Sequence, residues 1–413
     1  MKVLISAYAC EPYKGSEPYV GWNWAIQMSK YNEIYVLTRA NNKKNIDKYL
    51  NENKNEKLHF IYYDLPKIFR VFKKGNRGIH IYYKMWQSLA YYKMKKTSDY
   101  EKFNIIHHIT FNEFRTPGSL WKLGIPFIWG PVGGAQEFPK GFDKFYKFNF
   151  KYRCMESIRK MINLFYINSN KLKKTYNQSS YVLFASQCNY DILYNNILKD
   201  KSMILLETGI DKVKSYNKDD KSKDKISFLW VGNLIYRKAL GLLLEAIHTL
   251  KQKNEEYEKK YEFNIIGDGP LKYVYEEYCK KNNLNNVKFV GKVNHKEVDN
   301  YYKDSDVFVF TSLRDTSGNV VLEAMANSLP VIVIDHQGVK DIVDEKSGIK
   351  IEPKNSQYVI NELVNSIIKL GDESELRISM GSNGRSRIEE KYLWESKAKI
   401  MQDIYGKVYK SNK

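Results

Sequence analysis

A recurrence constrains this chain most: short apolar, β-branched runs separated by stretches of helical character occur at 3–9, 34–38, 58–63, 104–110, 126–129 and 181–186. Strands of continuous apolar character alternating with helices are buried on both faces, which indicates parallel α/β layers. A second series runs 226–231, 262–266, 287–290, 307–310 and 331–334, after a Lys/Asp/Ser-rich segment at 212–225. The reading is two Rossmann-like α/β domains, 1–208 and 209–390, followed by a helix at 391–413. Gly209, in Thr208-Gly209-Ile210-Asp211, stands at the expected hinge because glycine adopts dihedrals closed to other residues. Ligands bind beyond the C-terminal ends of the strands in open parallel sheets, so two such domains are expected to face across a deep cleft. That architecture alone names no reaction.

Charge is divided unevenly between the halves. The formal net charge is +20, of which residues 1–210 carry +17 and residues 211–413 only +3. The first half is thus expected to face something anionic. Cys10, Cys154, Cys188 and Cys279 are far apart and show no metal-ligand spacing, so neither a disulfide framework nor a zinc site is expected, and a reducing cytoplasm fits. The opening Met1–Cys10 segment reads as a first strand rather than a lipoprotein signal, its apolar stretch being short and its basic head minimal. No window reaches the roughly 18 apolar residues of a membrane span.

The most informative block is 307–326, which reads strand, polar loop, helix. Gly318 and Asn319 fall where the helix starts, so unpaired amides and the positive dipole end are available to a phosphate there. Glu323, one turn in, would repel a phosphate, and its sensible partner is a pair of neutral hydroxyls such as a ribose diol. Asp315, in the loop, could reach a sugar being transferred. Taken singly, Asp315 is a solvated turn residue and Glu323 a helix-surface charge. Arg237 and Lys238 follow the strand 226–231 and supply a guanidinium fork and a point charge for phosphate, although isolated cations are more often surface charges.

These residues resemble the retaining glycosyltransferases of family 4, which have the GT-B fold. The family's E-x7-E pattern is met by Asp315 and Glu323, followed by Ala324-Met325-Ala326-Asn327-Ser328-Leu329-Pro330-Val331. Its G-R-L-x3-K-G is met by Gly232 through Ala239. Gly267-Asp268-Gly269-Pro270, the Thr208–Asp211 linker and Cys10 through Pro18 are also similar, and Trp129-Gly130-Pro131-Val132-Gly133-Gly134 resembles a subset of the family. The sequence departs in four places: Asp315 replaces the first Glu, Asn233 replaces a phosphate-binding Arg, and Ala239 and Ser328 stand where the family often has Gly. The resemblance implies a C-terminal helix that returns to the first domain, and a nucleotide-diphosphate sugar as substrate with no cofactor and no metal. It implies donor binding by Gly15, Ser16, Arg237, Lys238, Gly318, Asn319, Val320 and Glu323. Catalysis would involve Lys238, Asp315 and one of His107 and His108, the two occupying alternate faces of their strand.

Two other motifs carry little. Asp304-Ser305-Asp306 has the D-x-D form of metal-dependent transferases, but it precedes its strand instead of following it. Gly267-Asp268-Gly269 lacks the third glycine of a dinucleotide fingerprint, because Lys272 occupies that place.

Residues 65–97 hold nine basic and no acidic side chains, and 140–176 hold ten basic against Asp143 and Glu156, both interleaved with aromatics. Such mixtures suit an anionic lipid surface, a solvated face or single-stranded nucleic acid. The resemblance favours the lipid and disfavours nucleic acid. It implies a glycan or polyprenyl-diphosphate-linked acceptor in bacterial capsule, O-antigen or exopolysaccharide synthesis, met by a cytoplasmic enzyme peripheral to the inner face of the membrane. A GT-B sugar-nucleotide epimerase or phosphorylase, or a non-enzymatic scaffold, are the other readings.

Overall fold

The computed structural model describes residues 1–70, 78–111, 113–142, 150–213, 224–254 and 256–412, with backbone alone at 67, 70, 98, 99, 150, 151, 295 and 296. Parts of the Lys/Asp/Ser-rich segment (214–223) and of the two basic stretches (71–77 and 143–149) lie outside the described residues. The chain forms two compact units. The first comprises Met1–Ala135, Met161–Gly209 and Trp394–Lys413, and the second Gln136–Lys160 and Ile210–Leu393.

The first unit is built on seven parallel strands: β1 (Lys2–Ser6), β2 (Glu33–Thr38), β3 (Leu58–Tyr62), β4 (Ile105–His108), β5 (Phe127–Val132), β6 (Ser179–Phe184) and β7 (Ser202–Ile204). Their order is β3-β2-β1-β4-β5-β6-β7, which reverses direction between β1 and β4. Alternation sends Val3, Ile5 and Ile105 to one face and Leu4 and Ile106 to the other, each into its own core. The first core is closed by the helix Glu17–Ser29 and by the last helix, Trp394–Ser411, through Trp394, Ala398, Met401 and Tyr405. The sequence's final helix therefore belongs to the first unit. It also carries Lys397 into the interior, 1% exposed, where its ammonium donates to the Leu206 carbonyl and lies 5.7 Å from the Trp24 ring.

In the second unit six parallel strands follow the same plan: β8 (Ile226–Val231), β9 (Tyr261–Ile266), β10 (Val287–Gly291), β11 (Val307–Phe310), β12 (Val331–Ile334) and β13 (Gly348–Ile351), in the order β10-β9-β8-β11-β12-β13. The Val-Phe-Val-Phe of β11 and the Val-Ile-Val-Ile of β12 are buried throughout, as strands covered on both faces must be. The edge strands β7 (Ser-Met-Ile) and β13 (Gly-Ile-Lys-Ile) escape the sequence reading because polar residues and glycine interrupt their apolar runs.

The sequence reading keeps the first domain unbroken to residue 208, whereas Gln136–Lys160 cluster with the second unit. Phe142 enters that unit's core, Gln136 Nε2 donates to Thr316 Oγ1 (2.5 Å), and Arg314 pairs with Glu156 while its guanidinium lies 5.5 Å from the Phe138 ring. Sequence position could not reveal this, since the contacts join residues more than 150 positions apart.

Candidate functional site

In the second unit the strand order reverses between β8 and β11, the point where open α/β sheets hold ligands. The loop leaving β8 is fixed by backbone rather than by charge. Gly232 N donates to Ile266 O (3.0 Å) and Leu234 N to Asp268 O (2.9 Å), so the Gly267-Asp268-Gly269 turn lies directly against it. Gly267 has φ +137°, and a Cβ there would fall 1.8 Å from Gly232 O; only glycine permits this approach. That is the role of the Gly-x-Gly element: it packs one loop on another.

The loop then turns through Tyr236–Lys238 and is locked to the loop after β11. Arg237 O accepts from Leu313 N (2.9 Å) and Ser312 Oγ (3.2 Å). Lys238 O accepts from Thr311 Oγ1 (2.9 Å), which itself accepts from Trp230 Nε1 (3.1 Å). With its backbone held, Lys238 places its ammonium on Asp315 Oδ2 and 4.9 Å from the Phe310 ring, while Arg237 Nη1 lies 3.5 Å from the same carboxylate oxygen. Arg237 is the more open of the two cations, its side chain 32% exposed against 12% for Lys238. Burial alone would raise the Asp315 pKa, but the Lys238 and Arg237 cations and the Gly318 amide hold it below the usual carboxylate range. Desolvation, reinforced by Arg237 and opposed by Asp315, holds Lys238 below the usual lysine range.

Gly318, left-handed at φ 56°, turns the chain into the helix Asn319–Ala326, which no side chain caps. The first amides of such a helix, those of Asn319 and Val320, lack intrahelical partners by construction. Glu323 is fixed by Tyr302, whose buried phenol donates to its Oε2 at 2.9 Å. Gln337 holds the other side of the loop: its Oε1 accepts from Asp315 N (2.7 Å) and its Nε2 donates to Glu137 O (2.6 Å). It does so from a strained backbone, φ 59° and ψ −137°. The structure thus brings Arg237, Lys238, Asp315, Gly318, Asn319, Val320 and Glu323 to the two loops at one sheet reversal. Tyr302 and Gln337 were missed, because neither carries a local signal and each acts through a partner over 20 positions away. Asp306 of the D-x-D sequence is structural: its Oδ2 accepts from Ser227 N (2.8 Å), tying the start of β11 to β8.

The remaining candidates lie in the first unit. Gly15 is exposed and precedes Ser16, which begins the helix Glu17–Ser29 at φ 59° and ψ −141°, a region normally left to glycine. The neighbouring Glu17 accepts from Phe111 N (3.3 Å), and its carboxyl is pushed up by burial and by Glu207. His107 and His108 point to opposite faces of β4, and both are buried. His107 donates from Nε2 to Gly130 O (2.9 Å), so its Nδ1 accepts from Tyr405 Oη (2.7 Å). His108 Nε2 lies 2.9 Å from Tyr83 Oη. Desolvation pushes both imidazoles down to about 3, which leaves them neutral at pH 7.

Residues 211–387 match the family Glycosyl transferases group 1. The chain carries a glycosyl transferases group 1 domain. Its curated relatives include an uncharacterised glycosyltransferase of Methanocaldococcus jannaschii, 29% identical over 50% of this chain and 54% of that one. Another is an uncharacterised 41.2 kDa protein from the cps region of Klebsiella pneumoniae, 26% identical over 45% of this chain and 47% of that one. The chain spans about half the length of these relatives. Among solved structures, a sucrose-phosphate synthase from Thermosynechococcus elongatus superposes with a TM-score of 0.65 at 17% identity, covering 99% of both chains. Anabaena HepE in complex with UDP and glucose superposes with a TM-score of 0.59 at 15% identity, covering 98% of this chain and 99% of that one. The fold class is accordingly GT-B.

Proposed function

We propose that this protein is a retaining glycosyltransferase that moves a sugar from a nucleotide-diphosphate donor to a glycan acceptor without a metal ion. The observation that carries this reading is the convergence of Lys238 and Arg237 on Asp315 beside the uncapped helix start at Gly318. Glu323, steadied by Tyr302, receives the ribose hydroxyls. The Asn319 and Val320 amides and the two cations receive the diphosphate, and Asp315 orients the sugar. Before the donor arrives, Asp315 holds both cations at the place where negative charge will form on the leaving diphosphate. Fixed donors of this kind stabilise that charge without reorganising as the glycosidic bond breaks. A relative from a cps region and a neighbour crystallised with UDP and glucose support the substrate class.

The acceptor in this reading is lipid-linked and met at the inner face of the cytoplasmic membrane. The +17 charge of residues 1–210 supports this. So does the part of the helix Phe150–Ile167 that belongs to the first unit, where Met161, Ile162, Leu164 and Phe165 are exposed apolar side chains. No helix among the described residues is long and apolar enough to cross a membrane.

The decisive measurement combines donor binding with turnover. UDP, GDP or ADP, or their sugars, should raise the melting temperature, and Lys238→Ala should lower turnover by roughly 10²–10³-fold with the fold intact. Activity should survive EDTA, and the product should keep the donor's anomeric configuration. Unchanged turnover in Lys238→Ala removes that residue from the mechanism, and conversion of donor without acceptor identifies an epimerase. The absence of any nucleotide shift would favour a non-enzymatic scaffold.

A further inference from the structure

One peptide unit ties together the two loops of the candidate site. The Arg314–Asp315 peptide group is planar, so fixing its two polar ends fixes its orientation. Its carbonyl accepts from Arg237 Nη1 (2.9 Å), and its N–H donates to Gln337 Oε1 (2.7 Å). Among the described residues the bond to this carbonyl is the only hydrogen bond of the Arg237 side chain, whose other partner is the Asp315 carboxylate. Most N–H donors of the guanidinium are thus left for a ligand. The aim of that fork is set by the tilt of one peptide.

The same peptide is braced by a helix from far earlier in the chain. The Arg314 side chain is 15% exposed, pairs with Glu156 on the helix Phe150–Ile167, and lies 5.5 Å from the Phe138 ring. On the same helix Tyr152 packs against the Tyr236 ring at 5.0 Å, beside Arg237, and lies in the field of Glu156, Arg314 and Arg237. The segment Gln136–Lys160 therefore touches both the loop that carries Arg237 and Lys238 and the loop that carries Asp315. A shielded guanidinium deprived of its carboxylate is left uncompensated and is drawn to another. Asp315 is the next residue. Without the Glu156 charge, Arg314 would compete with Arg237 and Lys238 for Asp315, and the peptide between them would tilt.

We propose that Glu156 is a positioning residue of the donor site: by anchoring Arg314 it fixes the peptide that aims the Arg237 fork at the diphosphate. The proposal rests on the reading that Arg237 receives a diphosphate. Titration calorimetry on the full chain tests it with matched probes, UDP and UMP, GDP and GMP, and ADP and AMP, read on the pair that wild type binds. Glu156→Gln keeps the shape of the side chain and removes its charge. It should weaken diphosphate binding about tenfold and monophosphate binding no more than about twofold, because the ribose contact of Glu323 does not depend on it. Arg314→Met should do the same, and E156Q/R314M should lose no more than either change alone, since the two residues act as one unit. Arg314→Lys, which keeps the charge, should retain most of the preference for diphosphate. A merely structural pair would lower the melting temperature and weaken both probes alike, so an unchanged ratio of the two affinities in Glu156→Gln overturns the proposal. Additive losses in the double variant do the same. If Glu156→Gln fails to fold, the ratio is read on Arg314→Met. Arg237→Ala separates this proposal from the reading beneath it. A lost diphosphate preference there but not in Glu156→Gln removes the positioning role and leaves the donor site standing. No loss in Arg237→Ala, or no binding of any probe by wild type, overturns the donor assignment and this proposal with it.

Discussion

Lys397 is a single buried amine whose ionisation bears directly on the stability of the first unit. Burial pushes its pKa down from the ordinary 10.5 to about 7, with Glu207 only partly opposing the shift. Below pH 7 the folded and unfolded chains both carry the proton, and the full penalty of a buried ammonium is present. Between pH 7 and 10.5 only the unfolded chain keeps it, so stability rises with pH at up to about 1.4 kcal/mol per unit. Lys397→Met fits the same interior without the charge. Its gain over wild type should be greatest at pH 6 and smaller by roughly 2–3 kcal/mol at pH 9, measured by urea unfolding. A pH-independent difference would show that the amine is already solvated. Ala239 (φ 47°) and Ser328 (φ 58°) show residue-scale strain of another kind: both occupy left-handed positions that glycine would adopt without cost.

At the scale of loops and strands, the site depends on one turn clasping another. Replacing Gly267 with alanine sets a methyl group against Gly232 O in a backbone conformation alanine resists, and the loop carrying Arg237 and Lys238 must give way. The expected result is a loss of at least ~2 kcal/mol of stability together with weaker nucleotide binding, read by calorimetric melting with and without UDP. Normal binding at normal stability would mean that the clasp is dispensable. This clasp also marks how far the sequence could be read. Lys238, Asp315 and Glu323 were legible because their spacing places charge at strand ends and a helix start, a local property. Tyr302, Gln337 and the Arg314–Glu156 pair were not, because tertiary packing alone brings them to their partners. The two histidines were legible as a strand end, but alternation turned each into a separate core.

For the molecule as a whole, charge asymmetry and the exposed apolar side chains of Met161–Phe165 bear on one measurement. The protein should sediment with vesicles containing anionic lipid and be released as salt rises from 50 to about 300 mM, and Met161→Ser with Phe165→Ser should weaken recovery several-fold. Equal recovery on neutral vesicles, insensitive to salt, argues against a lipid-facing role. The path of the backbone has a separate consequence for anyone dissecting the protein. Because the chain changes unit after Ala135, Lys160, Gly209 and Leu393, no single cut yields two self-sufficient fragments. Chimaeras with related enzymes that are joined only at the central linker would pair each sheet with another protein's missing pieces, and exchange of whole lobes therefore calls for four junctions.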